Sequence, residues 1–312
     1  MLNVKVAVVV PAYKVHDHIK GVVSSIPETI DHIVVVDDKC PHLSGREAEK
    51  LHRKNVVVIY HEVNQGVGGA VITGYKKALE LGCEIMIKMD GDGQMDPKYI
   101  DKLIEPLMKN EADYTKGNRF KDFTSLKSMP RMRLFGNSAL SFIIKFASGY
   151  WNIMDPTNGY TAIHKRALEK LNFERLSKRF FFEADMLINL NIINAVVQDI
   201  DMPTKYGNEK SSLDIERILY QFPPRLIKGF MKRIFLKYFL YDFNMASIYL
   251  IIGLPMFIFS VLFGIYEWID SFVTGKQRTA GTIMLVALPI IISFQMLLQV
   301  INIDINSVPK KD

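Results

Sequence analysis

No charged residue occurs between Phe243 and Tyr266, and none between Thr279 and Ile303. Each run exceeds the roughly 20 residues that an α-helix needs to cross a bilayer. Joined by the short polar segment EWIDSFVTGKQR, they predict a transmembrane hairpin; two helices buried in a soluble core are the alternative. Pro255 and Pro289 are tolerable in spans, where neighbouring groups satisfy the freed carbonyls. Arg225, Lys228, Lys232, Arg233 and Lys237 precede the first run and Lys310 and Lys311 follow the second, against only Lys276 and Arg278 between them. That bias predicts a two-span membrane protein with its bulk and both termini on the cytoplasmic side.

The front of the chain has a different pattern. Val4–Val10, His32–Val36, Asn55–Tyr60 and Ile85–Met89 are rich in Val and Ile, and segments of helical spacing (17–25, 45–53, 69–81) lie between them. Near-continuous apolar strands alternating with helices predict an α/β fold with a mostly parallel sheet covered on both faces. After Asp113 the pattern reads as helices and loops up to about Ser212. From Pro224, Leu226, Ile227, Phe230, Met231, Ile234, Phe235, Tyr238 and Phe239 share one helix face with Lys and Arg opposite. Such a helix beside a span is expected to lie in the membrane interface, or else to be a domain helix with a solvated basic face. The segment Arg131–Trp151, aromatic, apolar and basic, reads either as a second interface helix or as an internal one.

With 312 residues and a formal net charge of +6, the chain has room for one large domain and an appendage. Cys40 and Cys83 form no disulfide framework or metal-ligand spacing, which favours a reducing compartment. The start lacks the pattern of a secretory signal. His16 and His18 fall at a helix start and read as surface residues.

In parallel α/β sheets ligands bind at the carboxyl ends of the strands, and that is where the polar residues fall: Pro11-Ala12-Tyr13, Asp37-Asp38, Asn64-Gln65-Gly66 and the acidic turn MDGDGQMDP. The stretch NQGVGGA is an imperfect dinucleotide fingerprint, with Val71 where a third glycine would stand and the wrong strand before it. A tight strand-to-helix connection, or a backbone that a ligand approaches closely, fits as well. Asp90 and Asp92, two apart after a strand, can lean toward one point. They offer the hard oxygen ligands that suit Mg²⁺ or Mn²⁺, usually held by one or two carboxylates plus substrate phosphates. The competing reading is a solvated Asp-Gly turn.

The series VVVPAY, IVVVDD, NQGVGGA and MDGDGQMDP, in this order, resembles family 2 glycosyltransferases of the GT-A fold. GNRF (117–120), DPTNGYTAIHKRAL (155–168), FFFEADMLI and YGNEKSS (206–212), followed by the hairpin, are similar to the polyprenyl-phosphate glycosyltransferases within it. The resemblance implies a GT-A domain over 1–212, basic juxtamembrane helices over 213–242, a hairpin over 243–303 (spans about 243–266 and 279–303) and a tail over 304–312. It places Pro11, Ala12, Tyr13, Asp37, Asp38, Gly68, Asp90 and Gly91 on the donor nucleotide, and Asp90, Asp92 and Gln94 on the metal. Arg119, Arg131 and Arg133 would meet the acceptor phosphate or the leaving diphosphate, and Ser211 the acceptor phosphate. Asp92, Arg119, Arg133 and Lys210 would carry the catalytic charge stabilisation, Lys210 and Ser211 closing over the diphosphate. Many relatives have an arginine just before the glycine of this late loop; here Lys205 and Tyr206 stand there. Asp155 and Glu183 are sugar contacts or structural acids.

The chemistry agrees with that reading. A departing diphosphate needs its charge stabilised, and a divalent ion and fixed cations do this. A sugar hydroxyl as acceptor would also need a general base, and Glu183 and Asp185 stand in the region where hydroxyl-directed relatives keep one, whereas a lipid phosphate with a second pKa of about 6 arrives as an anion. Glu183 is thus a base, a sugar ligand or a buried acid. The expected function is inverting transfer of a sugar from a nucleotide diphosphate sugar, UDP favoured over GDP, to undecaprenyl or dolichyl phosphate. The rivals are a polysaccharide synthase using a hydroxyl acceptor and a non-catalytic nucleotide-sugar-binding scaffold. A homo-oligomer packed through the spans is compatible with either; no nucleic-acid partner is expected.

Overall fold

The four Val- and Ile-rich runs form the parallel part of a seven-stranded sheet. The computed structural model describes residues 4–119, 131–202 and 215–311. Strands β1 (Val6–Ala12), β2 (His32–Asp37), β3 (Val56–Tyr60) and β4 (Ile85–Lys88) alternate with helices α1 (His16–Ser25), α2 (Ser44–Glu49) and α3 (Val67–Glu80). Val8 of β1 lies opposite Ile33 of β2 and Ile87 of β4, all three strands being parallel. Side chains alternate between the faces of a strand. Val8 and Val10 join a core with Ile19, Val22 and Val23 of α1 and with Leu103 and Leu107 of α4 (Ile100–Met108). On the other face α3 packs so closely that a Cβ on Gly74 would collide with the Val9 side chain. Burying each such Val, Ile or Leu contributes about 1.5–3 kcal/mol.

Three further strands, β5 (Tyr114–Asn118), β6 (Thr161–His164) and β7 (Val197–Asp201), complete the order β3-β2-β1-β4-β6-β5-β7. β6 runs against both of its neighbours, and β7 is parallel to β5. The sequence reading of helices and loops beyond Asp113 is corrected here. These strands are short and bury Thr115, Lys116, Asn118 and Thr161, so they lack the apolar run that marks β1 to β4. Between them lie α5 (Arg131–Ser148), α6 (Lys165–Leu168) and α7 (Phe182–Ile192). Because β2 and β4 flank β1, the carboxyl ends of β1, β2 and β4 meet at one edge of the sheet.

Contacts divide the chain into two units, Met1–Arg233 with Pro309–Asp312, and Ile234–Val308. Helix α8 (Ile215–Phe235) runs across the boundary. It starts earlier than the sequence suggests, so Pro223 and Pro224 fall inside it. Its expected apolar face is split: Leu226 is buried while Ile227 and Met231 are exposed. Arg233, expected on the basic face, is buried instead. Its Nε donates to Ala147 O at 2.9 Å and its Nη2 to Phe146 O at 3.1 Å, a cation on the terminal carbonyls of α5.

The second unit holds α9 (Met245–Thr274) and α10 (Ala280–Asn306), both long and apolar enough to cross a membrane and mostly exposed. Asn244 caps α9, accepting from Ala246 N at 2.9 Å, and Thr279 caps α10. Gly264 lets the helices approach: a Cβ there would lie 2.7 Å from Val286 Cγ1. α9 extends through most of the segment expected to be a loop, because Arg278 folds back to pair with Glu267 at 2.8 Å and with Asp270. At the base, Tyr238 donates to Asp304 Oδ1 at 2.7 Å.

Candidate active site

Pro11 and Ala12 end β1, and Tyr13 follows with its side chain exposed. Asp37 ends β2 and Asp38 follows; both are 2% exposed. Asp37 accepts from the backbone N–H of Cys40 and of Gly45, each at 2.7 Å. Asp38 accepts from the N–H of Gln65 at 2.8 Å and of Gly66 at 2.7 Å, and pairs with His61 Nδ1 at 2.7 Å. His61 Nε2 in turn meets Thr73 Oγ1 at 2.9 Å. Both carboxylates, expected on the nucleotide, accept hydrogen bonds from the protein itself. The physical reason is local: each lies beside a loop whose N–H groups have no ladder partner, and buried donors must be satisfied.

The NQG turn owes its glycines to the protein as well. Gly66 has φ +87°, and a Cβ on it would lie 2.7 Å from Lys178 O. A Cβ on Gly68 would collide with Ser177 O and lie 2.8 Å from Phe182. The close backbone approach foreseen for this stretch is thus made by the segment before α7.

The acidic turn is more open. Asp90 and Asp92 are partly exposed and Gln94 is exposed. Asp92 accepts from Gln94 N at 3.0 Å, within its own turn. Gly91 is buried under Val15 and Ile19, and Gly93 takes φ +80°, the left-handed geometry that lets the chain reverse there. Asp96 caps the short 3₁₀ turn Pro97–Tyr99, accepting from Lys98 N at 3.1 Å. Among the described residues no three His, Cys, Asp or Glu side chains converge as a metal cage.

Behind this turn lies a charge layer that the sequence reading missed. Lys88, on β4, is 2% exposed, with Nζ 2.8 Å from Asp90 Oδ1 and 3.1 Å from Glu183 Oε1. Burial alone would lower its pKa, but Asp90 and Glu183 outweigh that and hold it above the usual lysine value. The available signal was a lysine two residues before an acid in an otherwise apolar strand. Glu183, in the first turn of α7, is thereby an ion-pair partner. Lys116 of β5 is also fully buried, bonded to Asn158 O, and burial lowers its pKa to about 8.

Arg119 follows β5. Its Nε donates to Asp155 Oδ2 at 2.7 Å and its Nη2 to Oδ1 at 3.2 Å. Asp155 is fully buried, while the arginine side chain is 40% exposed. Of the two readings of Asp155, the contact made here is the structural one: it orients Arg119. Arg131 and Arg133 stand in the first turn of α5. Lys205, Tyr206, Lys210 and Ser211 lie outside the described residues.

The residues 7–172 match the model of Glycosyl transferase family 2. Over 203 residues the chain is 35% identical to the UDP-N-acetylglucosamine–dolichyl-phosphate N-acetylglucosaminyltransferase of Methanococcus voltae, covering 60% of this chain and 80% of that protein. It is 27% identical over 185 residues to the polyprenol monophosphomannose synthase of Mycolicibacterium smegmatis, covering 57% and 69%. Its fold resembles crystalline glucosyl-3-phosphoglycerate synthase from Mycobacterium tuberculosis in complex with Mn²⁺, UDP and product, with a TM-score of 0.54 at 16% identity over 73% of this chain and 79% of that one. The mostly parallel sheet with its acidic strand end is thus the GT-A fold, and the chain belongs to glycosyl transferase family 2 and is a glycosyltransferase.

Proposed function

We propose that this enzyme transfers a sugar, with inversion, from a nucleotide diphosphate sugar to a polyprenyl phosphate at the cytoplasmic face of a membrane, with UDP as the favoured carrier. The observation that carries the donor half is the incomplete donor set of the acidic turn. Asp90, Asp92 and Gln94 offer two carboxylates and an amide, all hard oxygen ligands, and among the described residues no three His, Cys, Asp or Glu side chains converge as a full cage. That set fits Mg²⁺ or Mn²⁺ completed by phosphate oxygens of a substrate. When bound, such an ion supplies charge neutralisation at the departing diphosphate. The protein's share is orientation. Asp155 aims Arg119, and Arg131 and Arg133 on α5 add cations for the acceptor phosphate. Lys210 and Ser211 are assigned to closing over the diphosphate.

The acceptor half rests on the relatives named for dolichyl and polyprenyl phosphate and on the two apolar helices. A lipid phosphate keeps its tail in the bilayer, so an anchored enzyme meets its head at the surface. Exposed Ile227 and Met231 on α8 and Phe142 and Ile143 on α5 suit that interface. The test is a panel of radiolabelled UDP- and GDP-sugars with undecaprenyl and dolichyl phosphate. Label entering the organic-extractable fraction supports the proposal. Soluble polymer would point to a polysaccharide synthase, and nucleotide binding without release of UDP or GDP to a scaffold.

A further inference from the structure

Lys88 is the charge that a buried strand has least reason to carry. Its Nζ lies 2.8 Å from Asp90 Oδ1, 3.1 Å from Glu183 Oε1 and 3.2 Å from Gly159 O. An ammonium has three N–H donors, and these three oxygens occupy them all. Lys88 therefore has no donor left for a substrate, and whatever it does for the reaction it does through its partners. A buried ammonium with no counter-ion would not be tolerated; two carboxylates make it so.

The arrangement is specific. Lys88 ends β4, and Asp90 two residues later brings its carboxylate onto the ammonium. Glu183 comes from the first turn of α7, far along the sequence. Gly159 comes from the loop before β6, and its lack of a side chain is required. A Cβ there would lie 2.5 Å from Lys88 Nζ and 2.9 Å from Asp90 Oδ2. One ammonium thus ties the acidic turn to α7, and leaves the trio of side chains with one net negative charge where two bare carboxylates would otherwise face each other.

We propose that Lys88 is a positioning residue: it anchors Oδ1 of Asp90, leaving the other oxygen for a divalent cation, and holds Glu183 as an ion-pair partner, so that Glu183 is not the group that takes a proton from the acceptor. This deepens the lipid-phosphate reading and rests on it, since an acceptor already ionised needs no base.

The experiment uses the full chain in detergent micelles. Lys88→Gln, Glu183→Gln and the double variant are compared by calorimetric titration of UDP in the presence of MnCl₂, by thermal melting without metal, and by transfer to polyprenyl phosphate. The Mn²⁺ concentration that supports half-maximal UDP binding should rise about tenfold or more in Lys88→Gln, as for other groups that orient metal ligands. The KM for the lipid phosphate should stay within about threefold, since no acceptor contact is removed. Glu183→Gln should keep transfer within about tenfold of wild type, and the double variant should be no worse than Lys88→Gln, because coupled partners are not additive. If Lys88→Gln does not melt cooperatively, the double variant, which removes the surplus charge, carries the same comparison against Glu183→Gln. An unchanged Mn²⁺ requirement in the Lys88 variants overturns the positioning role. A loss of about 10³-fold in transfer by Glu183→Gln with UDP binding intact makes Glu183 the base and overturns the rest. Wild-type protein that binds UDP with Mn²⁺ yet transfers nothing to lipid phosphate sinks the functional reading alone, because the calorimetric comparison still reads out Lys88.

Discussion

Two pairs of aspartates stand at the carboxyl ends of β2 and β4, the strands that flank β1, and meet different fates. Asp37 and Asp38, after β2, are 2% exposed and accept four backbone N–H bonds from Cys40, Gly45, Gln65 and Gly66. Asp90 and Asp92, after β4, stay partly exposed. One shares its oxygen with a buried lysine, and the other accepts within its own turn. As sequence the two pairs are alike. What separates the β2 pair from Asp90 is the supply of donors: a carboxylate given several backbone N–H groups becomes part of the frame, and Asp90, held by a lysine through Oδ1, keeps capacity for an outside cation.

The sharpest way to break this comparison is to exchange the consequences. Asp92→Ala should reduce transfer by at least about 10³-fold, the scale of removing a main electrostatic stabiliser of the transition state, while leaving the melting temperature within a few degrees of wild type. Full activity in this variant, or in excess chelator, would remove the turn from the reaction. Asp38→Ala should do the reverse. It strands the N–H groups of Gln65 and Gly66 and the His61 ring, and should lower stability by about 3 kcal/mol, read from urea melts of the detergent-solubilised protein. An Asp38→Ala protein as stable as wild type but unable to bind UDP would return Asp38 to the nucleotide.

How far the sequence could tell these cases apart depends on what each signal consists of. β1 to β4 were legible because both faces of a parallel sheet demand continuous apolar runs, and the two long C-terminal helices because their runs carry no charge. β5 and β6 were not, since buried Lys116, Asn118 and Thr161 break the apolar pattern. The acidic turn was legible as a turn, but its protein cation was not. That partner stands two residues earlier as Lys88, inside the strand, where a single charge reads as an exception. Its second acid, Glu183, comes from a distant helix and could not be paired with it by spacing. Asp155 could be seen as one of two things, and only its bidentate contact with Arg119 separates them. The amphipathic face of α8 was real in periodicity, yet periodicity does not say which side of a broad stripe faces the domain.

Asp199 extends the comparison to an acid given too few donors. In β7 it accepts from Met154 N at 2.7 Å through one oxygen, while the other is buried with no hydrogen-bond partner. Burial pushes its pKa up to about 6, against the pull of the Met154 N–H and Lys116. The folded state therefore holds this proton more tightly than the unfolded chain, so stability contributed here is full below about pH 4 and falls as the pH rises toward 6. Asp199→Asn should be equal to wild type near pH 4 and more stable by about 2 kcal/mol at pH 7. A pH-independent difference would mean that the aspartate stays ionised in the fold.

Asp113, before β5, is the case of surplus. It accepts from Val196 N at 2.8 Å, pairs with Arg166 Nε at 2.5 Å, and meets Lys311 of the tail at 3.3 Å. Desolvation works against its charge, yet these donors together hold its pKa below the usual value. With two closer partners remaining, removing the third should matter little. Lys311→Ala is expected to cost no more than about 0.5 kcal/mol at low salt and less at high salt, as for other part-exposed pairs. Arg166→Ala, which also releases Ala112 O, should cost several times as much. If the two variants instead proved equal, counting donors would not be what ranks these carboxylates, and the contrast between the β2 and β4 pairs would need another cause.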